Sequence, residues 1–232
     1  MNRIGIIGAM EEEVSILKEK MEITEVVNKA SMEFNRGLLK GKEVVVVTCG
    51  IGKVNAGICT QILVDLFSVT HIINTGIAGG LKEEINIGDI VISKKAIHHD
   101  MNAVQFGYEL GQVPRMDTLA FPSDVGLMEL AETVCQEVNP EINVFKGCVL
   151  TGDQFIADSE VKKHLIETFA GDCVEMEGAA IAQGAYLNKV PYVIIRAISD
   201  KADNSATVDY PTFEKEAIKH SVRLVEGMLI KM

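Results

Sequence analysis

Three acidic groups stand where short apolar runs give way to something else. Glu11-Glu12-Glu13 follows Arg3–Gly8, Glu175-Met176-Glu177 follows Cys173, and Ser199-Asp200 follows Tyr192–Ala197. In open α/β sheets ligands sit at the carboxyl ends of strands, so these residues are the first to consider for chemistry. A helix starting at Glu11 would project its three glutamates about 100° apart. One or two at most could face a cleft, and the rest would simply answer the helix dipole. Glu175 and Glu177 share a face if their segment is extended and diverge if a helix has begun. Helix-start acids explain them equally well. Asp200, beyond an apolar strand, is a candidate proton-holding carboxyl because desolvation raises a carboxyl pKa; its alternative is a helix N-cap. Several carboxylates and few cations suit a dissociative glycosyl transfer. There one acid protonates the leaving group, one base activates water, and anionic surroundings stabilise an oxocarbenium-like cation.

Other motifs carry less. Gly5-x-x-Gly8 lacks the spacing of a dinucleotide fingerprint, and glutamates occupy the helix start where a pyrophosphate would rest. Gly50-Ile51-Gly52-Lys53 is only a fragment of a phosphate loop. Gly76–Gly80 reads as a turn ending a strand, able to cradle an anion through backbone N–H groups. His98-His99-Asp100 lies on a strand whose successive side chains point to opposite faces, which argues against a shared metal ion. Asp153 after Gly152 is a turn cap as readily as a ligand.

The elements that must position these groups alternate between β-branched runs and helical periods. Strands are predicted at Arg3–Gly8, Phe34–Leu39, Glu43–Cys49 (a hairpin with the preceding run), His71–Thr75, Asp89–Ser93, Lys95–His98, Val144–Thr151, Cys173–Glu175 and Tyr192–Ala197. Helices are predicted at Glu11–Met21, at Lys53–Phe67 with Val54, Ile58, Ile62 and Leu66 inward, and from an N-cap at Ser123 to Val138. Three more are predicted at Ser159–Thr168, Gly178–Leu187 and Pro211–Ile230, the last with Phe213, Ala217, Val222 and Val225 inward. Asn102–Phe121 has no period and is expected to need a partner to order it, with Phe106, Tyr108 and Leu110 as the side chains to be covered. The alternation argues for one α/β domain over residues 1–232, with a mostly parallel sheet flanked by helices.

Composition agrees with a folded, globular chain. Hydrophobic residues make up 47 % of the 232-residue chain, enough for a sizeable core. A net charge of −11 argues against nucleic acid or an anionic membrane as partner. The five cysteines contain no C-x-x-C pair and read as free thiols in a cytoplasmic protein. No apolar run approaches the ~18 residues of a membrane helix, and the early glutamates break any signal-peptide core.

The motifs together resemble the 5′-methylthioadenosine/S-adenosylhomocysteine nucleosidases of the nucleoside phosphorylase/nucleosidase superfamily. Ile4–Glu13, Gly50–Val54, Ile73–Gly76, Ala78–Gly80, Gly88–Val91, Phe106–Glu109, Gly152–Ile156, Val174–Glu177 and Arg196–Asp200 carry the resemblance in order along the chain. It implies a nucleoside phosphorylase-like three-layer sandwich and a homodimeric, cofactor-free and metal-free cytoplasmic hydrolase that releases adenine. By motif, Asp200 would be the general acid toward adenine N7 and Glu13 would activate water. Glu177 would hold the ribose hydroxyls, with Met176 against the sugar. Phe155 would stack on adenine, and the Ile156 backbone would read its edge. Met10 and Ile51 would line the apolar end beside Tyr210 and Phe213, and Ala78, Gly79, Glu175 and Ser199 complete the implied binding residues. Phe106, Tyr108 and Pro114 would enter the neighbouring subunit's site. Two positions depart from the pattern: Ile77 stands where serine is common, and Tyr210 where phenylalanine is frequent.

Overall fold

The computed structural model describes residues 2–232. In chain order its first half comprises β1 (Arg3–Gly8), α1 (Glu11–Glu19), β2 (Glu22–Lys29), β3 (Met32–Leu39), β4 (Lys42–Thr48), α2 (Lys53–Phe67), β5 (His71–Gly80) and β6 (Ile90–His98). The remainder comprises β7 (Phe121–Pro122), α3 (Val125–Val138), β8 (Val144–Thr151), α4 (Ser159–Phe169), β9 (Cys173–Glu175), α5 (Gly178–Asn188), β10 (Tyr192–Asp200) and α6 (Ala206–Lys231). All strands join one mixed sheet. β5 lies parallel to both β1 and β10, and β1 runs parallel to β4. β3 and β2 extend that edge antiparallel. On the other side β10 pairs antiparallel with β6, β6 parallel with β8, β8 parallel with β9, and β9 antiparallel back to β5. β5, β10, β6, β8 and β9 therefore close into a ring, with β5 shared by the open extension.

Helices cover both faces of the sheet. Along β4, Val45 and Val47 belong to the apolar cluster that includes residues of α2 and α5, while Val44 and Val46 belong to the one that includes residues of α1, α3 and α6. Strand residues alternate between faces, and here both faces are buried, so the run reads as continuously apolar. No helix is long and apolar enough to cross a membrane among the described residues.

The Gly76–Gly80 stretch is not a turn. It continues β5, paired with β10 at Gly76, Ile77 and Ala78 and with β9 at Gly79 and Gly80. These glycines supply space rather than a bend. A Cβ on Gly76 would collide with the Glu13 carboxylate, and one on Gly79 would lie 2.8 Å from Asp200 Oδ1. β10 likewise runs on through Ser199 and Asp200, and the two runs expected in 89–98 are one strand with a bulge at Ser93–Lys95. β2, not predicted above although it holds Ile23, Thr24, Val26 and Val27, is an exposed edge strand held by backbone pairing to β3. The α3 N-cap is Asp124, which accepts from Leu127 N at 2.9 Å, rather than Ser123, whose hydroxyl meets that of Ser93. α6 begins at Ala206 and carries Pro211 within its first turns.

Two expectations about faces are overturned. α2 buries Ala56, Cys59, Thr60, Leu63 and Phe67, and leaves Val54, Ile58 and Leu66 exposed, with Ile62 half-buried. A helix apolar on nearly every side gives no periodic clue to which face its own core takes. Residues 102–121 also order themselves. Gly111 N donates to Met101 O, Gln112 holds Glu109 N and Met116 O, and Arg115 N donates to the Tyr108 hydroxyl. Leu110 packs beside α4, but Phe106 remains 84 % exposed.

Candidate active site

A cavity of about 560 Å³ opens at the carboxyl ends of β1, β5 and β10. Of the residues singled out from the sequence, Met10, Glu13, Ile51, Ala78, Gly79 and Phe155 line it, together with Glu175, Met176, Glu177, Ser199, Asp200 and Tyr210. Ile156 lines a smaller adjoining recess shared with Phe155, Met176 and Asp200. Phe213 is 39 % exposed and stands outside the lining, as do Phe106, Tyr108 and Pro114. Ile77, Val174, Thr207 and Pro211 line the cavity without having been singled out as binding residues. The last two became visible only because α6 starts five residues before Pro211.

The glutamate triplet sorts by position. Met10 is the N-cap of α1, and Glu13 turns back beneath it. Its Oε2 accepts from Ala9 N at 2.6 Å and Met10 N at 3.0 Å, and its Oε1 from Ile77 N at 3.1 Å. Burial raises the Glu13 pKa, opposed by the field of Arg196 and by these three N–H donors. Glu11 points outward instead, to Lys18 Nζ at 2.7 Å and the Thr48 hydroxyl at 2.6 Å. One of three glutamates therefore faces the cleft, which the 100° helical spacing allows.

Asp200 closes β10. Its Oδ1 accepts from Ala202 N at 2.8 Å and its Oδ2 from the Ser199 hydroxyl at 2.9 Å. Burial raises its pKa, with Asp209 and Asp203 adding in the same direction. Across the cavity the Glu175–Glu177 segment leaves β9 and immediately enters α5. Glu175 turns inward to Arg196 Nη2 at 2.6 Å and caps Gly178 N at 2.7 Å. Arg196 is further held by Asn74 Oδ1 at 2.5 Å, so this buried cation is already spent. Glu177 accepts from Gly52 N at 2.7 Å, where a φ of +98° suits glycine at the start of α2. Burial, then the neighbouring Glu175, pushes the Glu177 pKa up to about 8.

No lysine or arginine lines the cavity. The Gly50–Lys53 turn, which resembled a phosphate loop, is occupied by protein carboxylates. Asp153 Oδ1 accepts from Lys53 N at 2.9 Å, and Lys53 Nζ pairs with Asp100. Asp153 is thus a helix cap outside the cavity. His98 bonds Gln183, and among the described residues no group of three His, Cys, Asp or Glu is placed to hold a metal ion. At the outer end the Tyr210 ring meets Phe155 edge-on with centroids 5.9 Å apart, and its hydroxyl lies 3.3 Å from Met10 Sδ.

Comparison with known proteins gives this geometry a context. The sequence profile described as the phosphorylase superfamily matches residues 3–230. A 5′-methylthioadenosine/S-adenosylhomocysteine nucleosidase of Bacillus cereus is 43 % identical over 98 % of both chains. The crystal structure of a nucleosidase of the same name from Neisseria meningitidis, in complex with methylthio-immucillin-A, superposes with a TM-score of 0.96 at 37 % identity over 100 % of both chains. The native structure of futalosine hydrolase from Helicobacter pylori superposes at 0.94 with 29 % identity, over 100 % of this chain and 98 % of that one. With its identity to such relatives running nearly end to end, the chain belongs to the phosphorylase superfamily and, within it, to the 5′-methylthioadenosine/S-adenosylhomocysteine nucleosidases.

Proposed function

We propose that the chain, acting as one domain over residues 1–232, hydrolyses the N-glycosidic bond of 5′-methylthioadenosine and S-adenosylhomocysteine and releases adenine. The observation that carries this reading is a cavity holding Glu13, Glu175, Glu177 and Asp200 with no cation in its lining. A departing adenine leaves positive charge on the ribose, and an acidic lining that holds no cation does not oppose that charge as it develops. Asp200, its pKa raised by burial, delivers a proton toward adenine N7. Glu13 takes a proton from the attacking water, its carboxylate aimed by three backbone N–H groups. Glu177 faces the sugar hydroxyls with Met176 beside it, and Phe155 and the Ile156 backbone take the adenine. Met10, Ile51 and Tyr210 enclose the thioalkyl group. The same lack of lining cations disfavours phosphate as the attacking nucleophile.

The active form is a homodimer. Val54, Ile58 and Leu66 on α2, Leu187 on α5 and Phe106 in the 102–121 segment are all exposed. Covering a side chain of this size is worth about 1.5–3 kcal/mol. A second copy would cover them and bring Phe106, Tyr108 and Pro114 to the other subunit's thioalkyl end, with Phe213 near by.

The experiment is incubation with 5′-methylthioadenosine in phosphate-free buffer, followed by assay for free adenine, for the natural chain and for Val54→Asp. The natural chain should release adenine at a rate that added phosphate leaves unchanged. Val54→Asp should sediment as a monomer and lose most of its turnover. Phosphate-dependent release would make the protein a phosphorylase, and a fully active monomer would end the shared-site reading.

A further inference from the structure

Three motifs singled out from the sequence, Gly50–Lys53, His98–Asp100 and Asp153, have no role in the reaction as described, yet the fold brings them together. Asp100 lies in the turn after β6 and is half-buried. Its Oδ1 accepts from Lys53 Nζ at 2.5 Å and its Oδ2 from Asp153 N at 3.0 Å. Asp153 Oδ1 in turn accepts from Lys53 N at 2.9 Å, which closes a three-membered ring of hydrogen bonds. Burial opposes the charge on Asp100, but Lys53 and the Asp153 N–H hold its pKa below the ordinary carboxylate range. It is therefore a carboxylate at neutral pH, and the Lys53 contact is a true ion pair.

None of the three lines the cavity, but each end of the ring adjoins a segment that does. Gly52, next to Lys53, donates its N–H to Glu177 Oε1 at 2.7 Å, and Ile51 before it is a lining residue. Two residues beyond Asp153 stands Phe155, in an irregular run fastened by Gly152 N to Glu175 O at 3.2 Å and by the Asp153 bonds. We infer that Asp100 is a positioning residue, which with Lys53 and Asp153 locks the Phe155–Ile156 segment in register with the segment that holds Glu177. The inference rests on the nucleosidase reading, in which the first segment takes adenine and the second fixes the sugar. The bond to be broken joins those two parts of the substrate, and a misplacement of about 1 Å between them costs about 10²-fold.

A ligand that spans both segments uses this register, whereas free adenine meets only one of them. Asp100→Asn keeps the size and an oxygen for Asp153 N but loses the ion pair to Lys53. It should lower kcat/KM for 5′-methylthioadenosine about tenfold or more while changing the Kd of free adenine less than about threefold. Lys53→Met should do the same, and Lys53→Arg, which still reaches Asp100 as a cation, should recover most of the loss. Because the two side chains act as one contact, Lys53→Met with Asp100→Asn should lose little more than either alone. Melting temperatures are read beside the kinetics, and the Lys53 pair carries the comparison if Asp100→Asn does not fold. Unchanged kcat/KM would overturn the inference. So would equal losses of adenine affinity and turnover, which would mean that the adenine segment alone is disturbed. If the natural chain releases no adenine from 5′-methylthioadenosine, the nucleosidase reading itself fails, whereas an active natural chain with indifferent Asp100 and Lys53 variants fails this inference alone.

Discussion

Asp200→Asn should abolish nearly all adenine release while leaving binding of the adenine nucleoside mostly intact. Asparagine keeps the shape, and its carbonyl oxygen can still accept from Ala202 N, which holds Asp200 at 2.8 Å. It has no proton to transfer, and general acid catalysis contributes about 10²–10⁴-fold. The loss should therefore fall on kcat, with the Kd of a non-hydrolysed analogue changed little. The pH profile follows from the same residue. Burial raises the Asp200 pKa, so the acid form persists above the ordinary carboxylate range, and turnover falls as pH rises through the raised value. Near-normal turnover by the asparagine variant would remove Asp200 as the acid.

Glu13→Gln and Glu11→Gln should separate by orders of magnitude. Glutamine at position 13 still accepts from one or two of the N–H donors around it but cannot take a proton from water, so kcat should fall about 10²–10⁴-fold. Glu11 is an outward residue paired with Lys18 and Thr48, and its replacement trims a helix-dipole and surface-pair contribution of about 0.3–1 kcal/mol. The readout is single-turnover adenine release for both variants beside their melting temperatures. Equal losses in turnover would mean the triplet acts through the helix start and not through one base.

The parallel strands and the carboxylates at their ends were legible because buried strands leave continuous apolar runs and chemistry collects where those runs stop. Arg3–Gly8 and Cys173–Glu175 match their predicted limits for that reason. What escaped were features fixed by neighbours distant in the chain. Gly76–Gly80 looks like a turn until Glu13 and Asp200 are seen filling the space their side chains would take. Glu175 and Glu177 could not be told apart from spacing. One is spent on Arg196, 21 residues later, and the other on Gly52, 125 residues earlier. The inward face of α2 was misread because the face turned outward is apolar too.

Glu177 has a cost that falls on folding rather than on turnover. Its pKa in the native state, about 8, lies above the ordinary 4.5. Between these values the folded chain keeps a proton that the unfolded chain has released. Its contribution to stability is therefore present in full below 4.5 and lost as the pH climbs from there through about 8. Heat resistance should decline over that interval. Glu177→Gln, unable to ionise, should melt at a higher temperature than the natural chain at alkaline pH while handling the sugar poorly. Above pH 4.5 the site thus works against the fold that carries it.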